Sequence, residues 1–373
     1  MNYSKSALIA LASASAIAMT GCGGGSSDPV DPVDPTEPVN PRADVAACTS
    51  YTIPAEKTLS GDITTCTELD SASTWTLDGL VVVKGTTLKI QPGTEIVGLP
   101  GTGDSTSYMI IDIDAKIMAE GTASEPIVFK GEAGTAEGEW GGLTVIGNAT
   151  NDQVNPYEVN TAYGPTDFVD LADNSGVLSH VQILNSGITM AEDKEINGLS
   201  LIAVGTGTQI NDITVNYSDD DGVEIWGGTV DLTNVNIENC TDDYFDIDDG
   251  YNGTVTNLNI TQDTLGNAAI EMSGDTAATF KDFTIIQNGS AKEGGIFFKK
   301  DGIGGHFMNG TVTDNNSVGE EAGAIHSQGV ADIANTSFEN VTLDGTSGED
   351  RFTGDSATEL EAEFNAGTGN TAS

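Results

Sequence analysis

DGVEIWGG at residues 221–228, YFDIDDG at 244–250, AAIEMSG at 268–274, GGIFFKK at 294–300 and GAIHSQG at 323–329 are successive versions of one segment. Each has apolar side chains at alternate positions and is bounded by Gly, Asn or Asp, the pattern of a short strand buried on one face. Val223, Phe245, Ile270, Ile296 and Ile325 are separated by 22, 25, 26 and 29 residues. Earlier members are GGLTVIGNA at 141–149 and NGLSLIAVG at 197–205. A second class alternates with the first: INDITVNYS at 210–218, LTNVNIENC at 232–240, VTNLNITQD at 255–263, FKDFTIIQN at 280–288 and FMNGTVTDN at 307–315. Such a step suits one coil of a three-sheeted solenoid, whereas a propeller blade needs about 40 residues and four antiparallel strands. The predicted fold is all-β, a single right-handed parallel β-helix in which stacked Val, Ile, Leu and Phe form one core.

Working outward, TLDGLVVVKGTTLKIQPGTEIVG at 76–98 and IIDIDAKIMAEGTASEPIVFKG at 110–131 read as larger opening coils. The solenoid is predicted over 75–345, with an excursion loop at about 151–175 where the period breaks. Residues 48–74 are predicted to cap one end, blunting an exposed sheet edge. Residues 346–373 form a tail whose stretch SATELEAEF, at 356–364, is helix-like, with Ser356 as its N-cap.

The chain has 57 Asp+Glu against 13 Lys+Arg, a formal net charge of -44. This charge repels phosphate backbones, so nucleic acid is excluded as a partner, and cations are the natural counterpart. Residues 1–21 have signal-peptide anatomy, with Lys5 before an apolar run and small residues before Cys22. Met19-Thr20-Gly21-Cys22 resembles the bacterial lipobox, which implies acylation of Cys22 and a membrane partner through the lipid. Residues 22–47, rich in Asp-Pro and Glu-Pro steps, read as a tether without a core. The expected location is the outer membrane or cell surface. Export to an oxidising compartment predicts a Cys48–Cys66 disulfide worth about 3 kcal/mol, and leaves Cys240 as a buried free thiol.

Aligning Val223 with Phe245 stacks Asp220 on Asp242, Asp221 on Asp243 and Glu224 on Asp246, and Glu271 continues the last file. Two ionised carboxylates on adjacent strands, about 4.8 Å apart, repel by about 3.5 kcal/mol at an effective dielectric of 20. A hard cation relieves this, and calcium takes six to eight oxygens. Asp220, Asp221, Glu224, Asp242, Asp243, Asp246, Asp248 and Glu271 are the candidate ligands. His180, His306 and His326 have no ligand spacing, and Trp140 and Trp226 read as packing residues.

The runs GTTLKIQPGTEIVG at 85–98, AKIMAEGTASEPIVFKG at 115–131, EWGGLTVIGNA at 139–149, NSGVLSHVQI at 174–183, EINGLSL at 195–201 and DDGVEIWGGTV at 220–230 carry a resemblance. They are similar to a group of bacterial right-handed β-helix surface lipoproteins without an assigned activity. The resemblance spans roughly residues 75–274 and implies the fold, with no catalytic residues to transfer. A binding or structural role toward a glycan or protein ligand follows as the first expectation.

The order DDDGVEI at 219–225, TDDYFDI at 241–247, NAAIEMSG at 267–274 and GIFFKK at 295–300 is also similar to polygalacturonase-type β-helices. That likeness implies a hydrolase or lyase of acidic polysaccharides using Asp220, Asp242, Asp243, Asp246 and Lys299. The family histidine is missing, since Asn267-Ala268-Ala269 stands in its place, and Phe297-Phe298 replaces the arginine side of the basic motif.

Overall fold

The computed structural model describes residues 48–150, 169–191, 194–262, 266–288, 293–315, 323–345 and 351–373. The signal peptide, Cys22 and the tether predicted over 1–47 lie outside these residues, as does most of the predicted excursion loop.

The alternation around Val223 becomes parallel pairing. Leu199, Val223, Phe245, Ile270, Ile296, Ile325 and Phe352 stand in register in one stack of strands. A second stack runs through Leu178, Ile210, Leu232, Val255, Phe280, Phe307 and Phe338. A third runs through Ile183, Val215, Ile237, Ile260, Ile285, Val312 and Leu343. All these side chains except the partly buried Phe352 belong to one continuous buried core. The fold is a three-sheeted parallel β-helix, as the repeat predicts.

Each segment of the second class serves two stacks. It bends in its middle at a residue in the left-handed region: Asp212, Asn234, Asn257, Asp282, Asn309 and Asn340 have φ of 55°, 57°, 57°, 55°, 53° and 53°. Asn and Asp tolerate this conformation better than other residues with a Cβ. Their side chains also link coil to coil. The Asn234 amide donates to Asp212 Oδ1 at 3.0 Å and the Asn257 amide to Asn234 Oδ1 at 2.7 Å. Asn309 and Asn340 repeat the arrangement on Asp282 and Asn309, each at 3.1 Å. Asn234→Ala, which loses both the ladder and the side chain suited to positive φ, is expected to cost about 2 kcal/mol. Asn234→Gly, which loses only the ladder, should cost about half as much; chemical denaturation of the two variants checks the order.

The helix begins earlier and ends later than the sequence boundaries. Thr58–Ile63 pairs with Trp75–Val83, and Thr67–Leu69 with Thr87–Ile90, so part of the predicted cap at 48–74 is already coil. The predicted disulfide is present, with Cys48 and Cys66 Cα atoms 5.8 Å apart, and Cys240 is a buried free thiol. In the predicted tail, Phe352–Gly354 pairs with Ile325–Ser327, and Thr371–Ala372 joins the third stack. Between them Ala357–Ala366 is the predicted helix, which buries Leu360 and Phe364. Ser356 occupies the N-cap position without capping through its side chain. Its hydroxyl instead donates to Gly329 O at 3.0 Å and accepts from Ala331 N–H at 2.9 Å.

A smaller apolar cluster lies outside the first stack, built from Val82, Ile110, Ile146, Ile202 and Trp226 among others. The antiparallel strands Ile188–Ala191 and Lys194–Ile196 pack on it through Ile188, Met190 and Ile196. This hairpin becomes one wall of the site.

Candidate functional site

The turns that lead into the first stack place polar side chains one above another. Asp221 N–H donates to Asn197 Oδ1 at 3.2 Å, and Asp243 N–H to Asp221 Oδ1 at 2.8 Å. Ala268 N–H closes the series on Asp243 Oδ1. Each turn thus hands a main-chain donor to the acidic or amide side chain of the coil before it. Main-chain bonds from Gly198 to Asp221 O at 2.9 Å and from Gly222 to Asp243 O at 3.0 Å hold the same register. Gly222 is needed for that approach, since a Cβ there would lie 2.5 Å from Ile237 Cγ2 and 2.7 Å from Tyr244 O.

One residue beyond the inward Val223, Phe245 and Ile270, the strands direct Glu224, Asp246 and Glu271 outward in one file. The file continues through Phe297 and His326, whose rings stack at 5.1 Å. Turn and strand residues meet in a groove of about 430 Å³. Asp220, Asp221, Glu224, Asp242, Asp243, Asp246 and Lys299 all line it. Glu271, 1% exposed, lies beneath and is paired with the Lys299 ammonium. Three sets of carboxylates bring oxygens within 4.8 Å of one another: Asp220–Asp221–Asp242, Asp221–Glu224–Asp246, and Asp243–Asp246–Glu271.

Asp248 is the exception among the candidate ligands. It belongs to none of these sets, and its Oδ1 accepts from Asp249 N–H at 2.6 Å. The groove also contains residues that the sequence reading did not assign: Thr189 and Glu195 of the hairpin, Asp219, Thr241 and Asn267. Asn197, behind the wall, donates its amide to Glu224 Oε2, and Asn267 donates to Asp242 Oδ1. Asn197 precedes Leu199 by the same two positions as Asp221 precedes Val223, so the register contained this signal.

The electrostatics follow from burial and the crowding of like charges. Burial, then Asp220 and Asp243, push the Asp221 carboxyl well above the usual carboxylate range. Burial, then Glu271 and Asp246, raise Asp243 in the same way. Asp246 is raised by burial, Glu271 and Asp221, against the opposing pull of Lys299. For Lys299, burial works against the ammonium, but Glu271 with Asp246 and Asp243 outweighs it and raises the pKa. Asp246 Oδ1 and Glu271 Oε2 are among the buried polar atoms of the described residues that lack a hydrogen-bond partner, as is Asn267 Oδ1 in the same groove. Such atoms are costly unless a ligand satisfies them.

These shifts set a pH dependence for the cation-free protein. The folded carboxyls titrate above their unfolded counterparts, so their contribution to stability is fully present below the unfolded value and is lost as pH rises through the folded one. In calcium-depleted buffer the protein is expected to melt higher at about pH 5 than at about pH 8. Asp243→Asn should shrink that difference, as read by scanning calorimetry.

No curated protein sequence matches the chain. Among solved structures, the enzymatically active domain of bacteriophage CBA120 tailspike protein 2 is 14% identical with a TM-score of 0.34, over 74% of this chain and 39% of that one. The chain therefore spans about two fifths of the tailspike's length. The A-module of the Azotobacter vinelandii mannuronan C-5 epimerase AlgE4 is 11% identical with a TM-score of 0.37, over 84% of this chain and 86% of that one. Residues 61–373 match the family model described as a pectate-lyase-like β-helix domain, and the chain belongs to that family.

Proposed function

We propose that this chain is an exported β-helix, tethered to the outer membrane or cell surface through acylated Cys22, whose acidic groove binds calcium and whose lateral faces meet a glycan or protein partner. The calcium assignment rests chiefly on Asp246 Oδ1 and Glu271 Oε2, which are buried without partners beside further carboxylates. The donor set is all oxygen, with no histidine or cysteine, which suits a hard cation and disfavours zinc or copper. Asp220, Asp221, Glu224, Asp242, Asp243, Asp246 and Glu271 would hold it. When bound, calcium supplies positive charge that screens these carboxylates and can draw in a carboxylate of an acidic glycan. The Cys48–Cys66 disulfide supports an oxidising compartment. The signal-peptide pattern and the proline-rich tether at 22–47 support export and anchoring.

A second reading, a polysaccharide hydrolase or lyase, is favoured by one observation: the carboxylates line a concave groove with Lys299 at its edge. The basic side of such a site is incomplete, because Phe297 and Phe298 stand where the likeness expects an arginine. As a lyase base Lys299 is held in its ammonium form by Glu271. Purified protein incubated with acidic polysaccharides in calcium should release no products while showing calcium-dependent glycan or partner binding. Product formation abolished by Asp243→Asn would instead establish the enzyme.

A further inference from the structure

A second cavity, of about 280 Å³, lies away from the acidic groove, on the face of the third stack. Its floor is Gln182, Thr214 and Asn236, which stand in register on three successive coils at the strand spacing of about 4.8 Å. His180 and Asp212 edge it along the bend between the second and third stacks. His180, with φ of 49°, holds the bend position that Asp212 and Asn234 take in the next coils, so the ladder changes residue type where the cavity lies. In the preceding coil the bend is replaced by a longer turn, residues 121–126, between the two strands that pair with Gly176–Ser186. Thr122, Ala123 and Pro126 of that turn complete the lining.

The turn is held in place. Glu125 N–H donates to the Thr122 hydroxyl at 3.0 Å, and Gly121 N–H to Ser179 O at 2.8 Å. A Cβ at Gly121 would lie 2.6 Å from His180 O, so only glycine lets the turn come this close. The cavity is therefore preformed, as ligand sites usually are.

Its chemistry differs from that of the groove. Among the described residues the Gln182 amide and the Thr214 hydroxyl have no protein partner, and Asn236 engages only its Oδ1, on the Asn259 amide at 3.2 Å. Asp212 is the one carboxylate of the lining, and both its oxygens are occupied: Oδ1 accepts from the Asn234 amide at 3.0 Å and Oδ2 faces His180 Nε2 at 3.7 Å. What remains is a row of neutral donors and acceptors beside the apolar surface of Ala123 and Pro126. That combination suits a pyranose ring, with hydroxyls around its rim and C–H bonds on its faces. An acidic sugar would meet the field of a chain of net charge -44 with no cation in this lining to offset it, and a second copy of the chain would meet the same repulsion. An extended peptide needs a free sheet edge for its main chain, whereas the strand Gln209–Ser218 that carries Thr214 is paired on both sides. Beyond Asn236 the file runs in register through Asn259 to Thr371 with only Asn and Thr, so a glycan leaving the cavity along it meets no charge in that file.

We propose that this cavity is a calcium-independent subsite for a neutral hexose of a glycan, separate from the acidic groove. This rests on the glycan part of the reading above, to which it adds a location and a sugar class, and it needs no metal.

Calorimetric titration of the full chain with cellohexaose, mannohexaose and maltohexaose, each in calcium and in EGTA, tests it. At least one should bind with a dissociation constant below about 1 mM, equal within about twofold in the two buffers. Gln182→Ala, which loses one hydrogen bond, should weaken that binding about fivefold. Thr214→Lys, which sets a long side chain on the floor, should weaken it by about tenfold or more. Thr342→Lys, on the same file outside the cavity, should leave it within about twofold. Gln182→Ala decides the matter if Thr214→Lys does not fold. Binding of none of the three sugars would overturn the proposal, and a calcium titration of the same sample reads the calcium claim separately. Sugar binding that is lost in EGTA or in Asp243→Asn but kept in Thr214→Lys would move the sugar to the acidic groove and overturn it equally. A dimer that Thr214→Lys breaks, seen by sedimentation, would give the cavity to a second copy instead. Calcium-free sugar binding in a protein that takes up no calcium would support this subsite while removing the calcium reading.

Discussion

Phe307→Ala is expected to lower the unfolding free energy by about 3–5 kcal/mol, the largest effect of any single substitution considered. The Phe307 ring stacks on Phe280 of the coil before it at 5.4 Å and on Phe338 of the coil after it at 5.3 Å. It also meets the edges of Phe283 at 6.0 Å and Phe298 at 6.3 Å. All but Phe338, itself 2% exposed, are no more than 1% exposed, so truncation leaves a cavity that water cannot relieve cheaply. A solenoid coil touches only its neighbours, so the loss falls on the interfaces at both sides of the coil rather than being shared across a globule. Val330→Ala serves as the control: Val330 is 66% exposed, and its truncation should change stability by less than about 0.5 kcal/mol. Urea denaturation of the three proteins in matched buffer measures both changes.

The second large effect is the response to calcium. A ligand that binds only the folded state stabilises it by about 4 kcal/mol when present at a thousand times its dissociation constant. For a folded body of this size that corresponds to a shift of several degrees in the melting temperature. The physical source is compensation of buried charge: burial first, and then the neighbouring carboxylates, raise the pKa values of Asp221, Asp243 and Asp246, and a bound cation offsets both. Unfolding curves with excess calcium and with EGTA should therefore separate, and the separation should be larger near pH 8 than near pH 5, where protons already quiet the carboxyls. Superimposable curves at both pH values would oppose the account.

The part of this structure legible in the sequence is the part fixed by period. Matching Val223 with Phe245 places Asp221 beside Asp243 and Glu224 beside Asp246, and the observed register has the same partners. The file from Glu271 through Phe297 to His326 was equally readable, because a parallel stack without slips carries alignment from coil to coil. The bends at Asn234 and Asn257 show in the sequence only as a step of three between inward residues, Leu232 to Val235 and Val255 to Leu258, with two-residue alternation resuming beyond it. The hairpin wall was hidden for another reason. Ile188, Met190 and Ile196 bury themselves on an outer apolar patch, a contact that no repeat predicts. Asp248 was read as part of the acidic run with Asp242, Asp243 and Asp246, whereas its Oδ1 accepts from the main chain of its own neighbour Asp249.

Anomalous diffraction from a calcium-soaked crystal would show whether the groove on the first stack is a calcium site, because it locates the ion without reference to stability or activity. A peak is expected about 2.4 Å from carboxylate oxygens of the groove, with Asp246 Oδ1 or Glu271 Oε2 among its ligands. A groove without a peak at a calcium concentration that leaves peaks elsewhere on the molecule would contradict it.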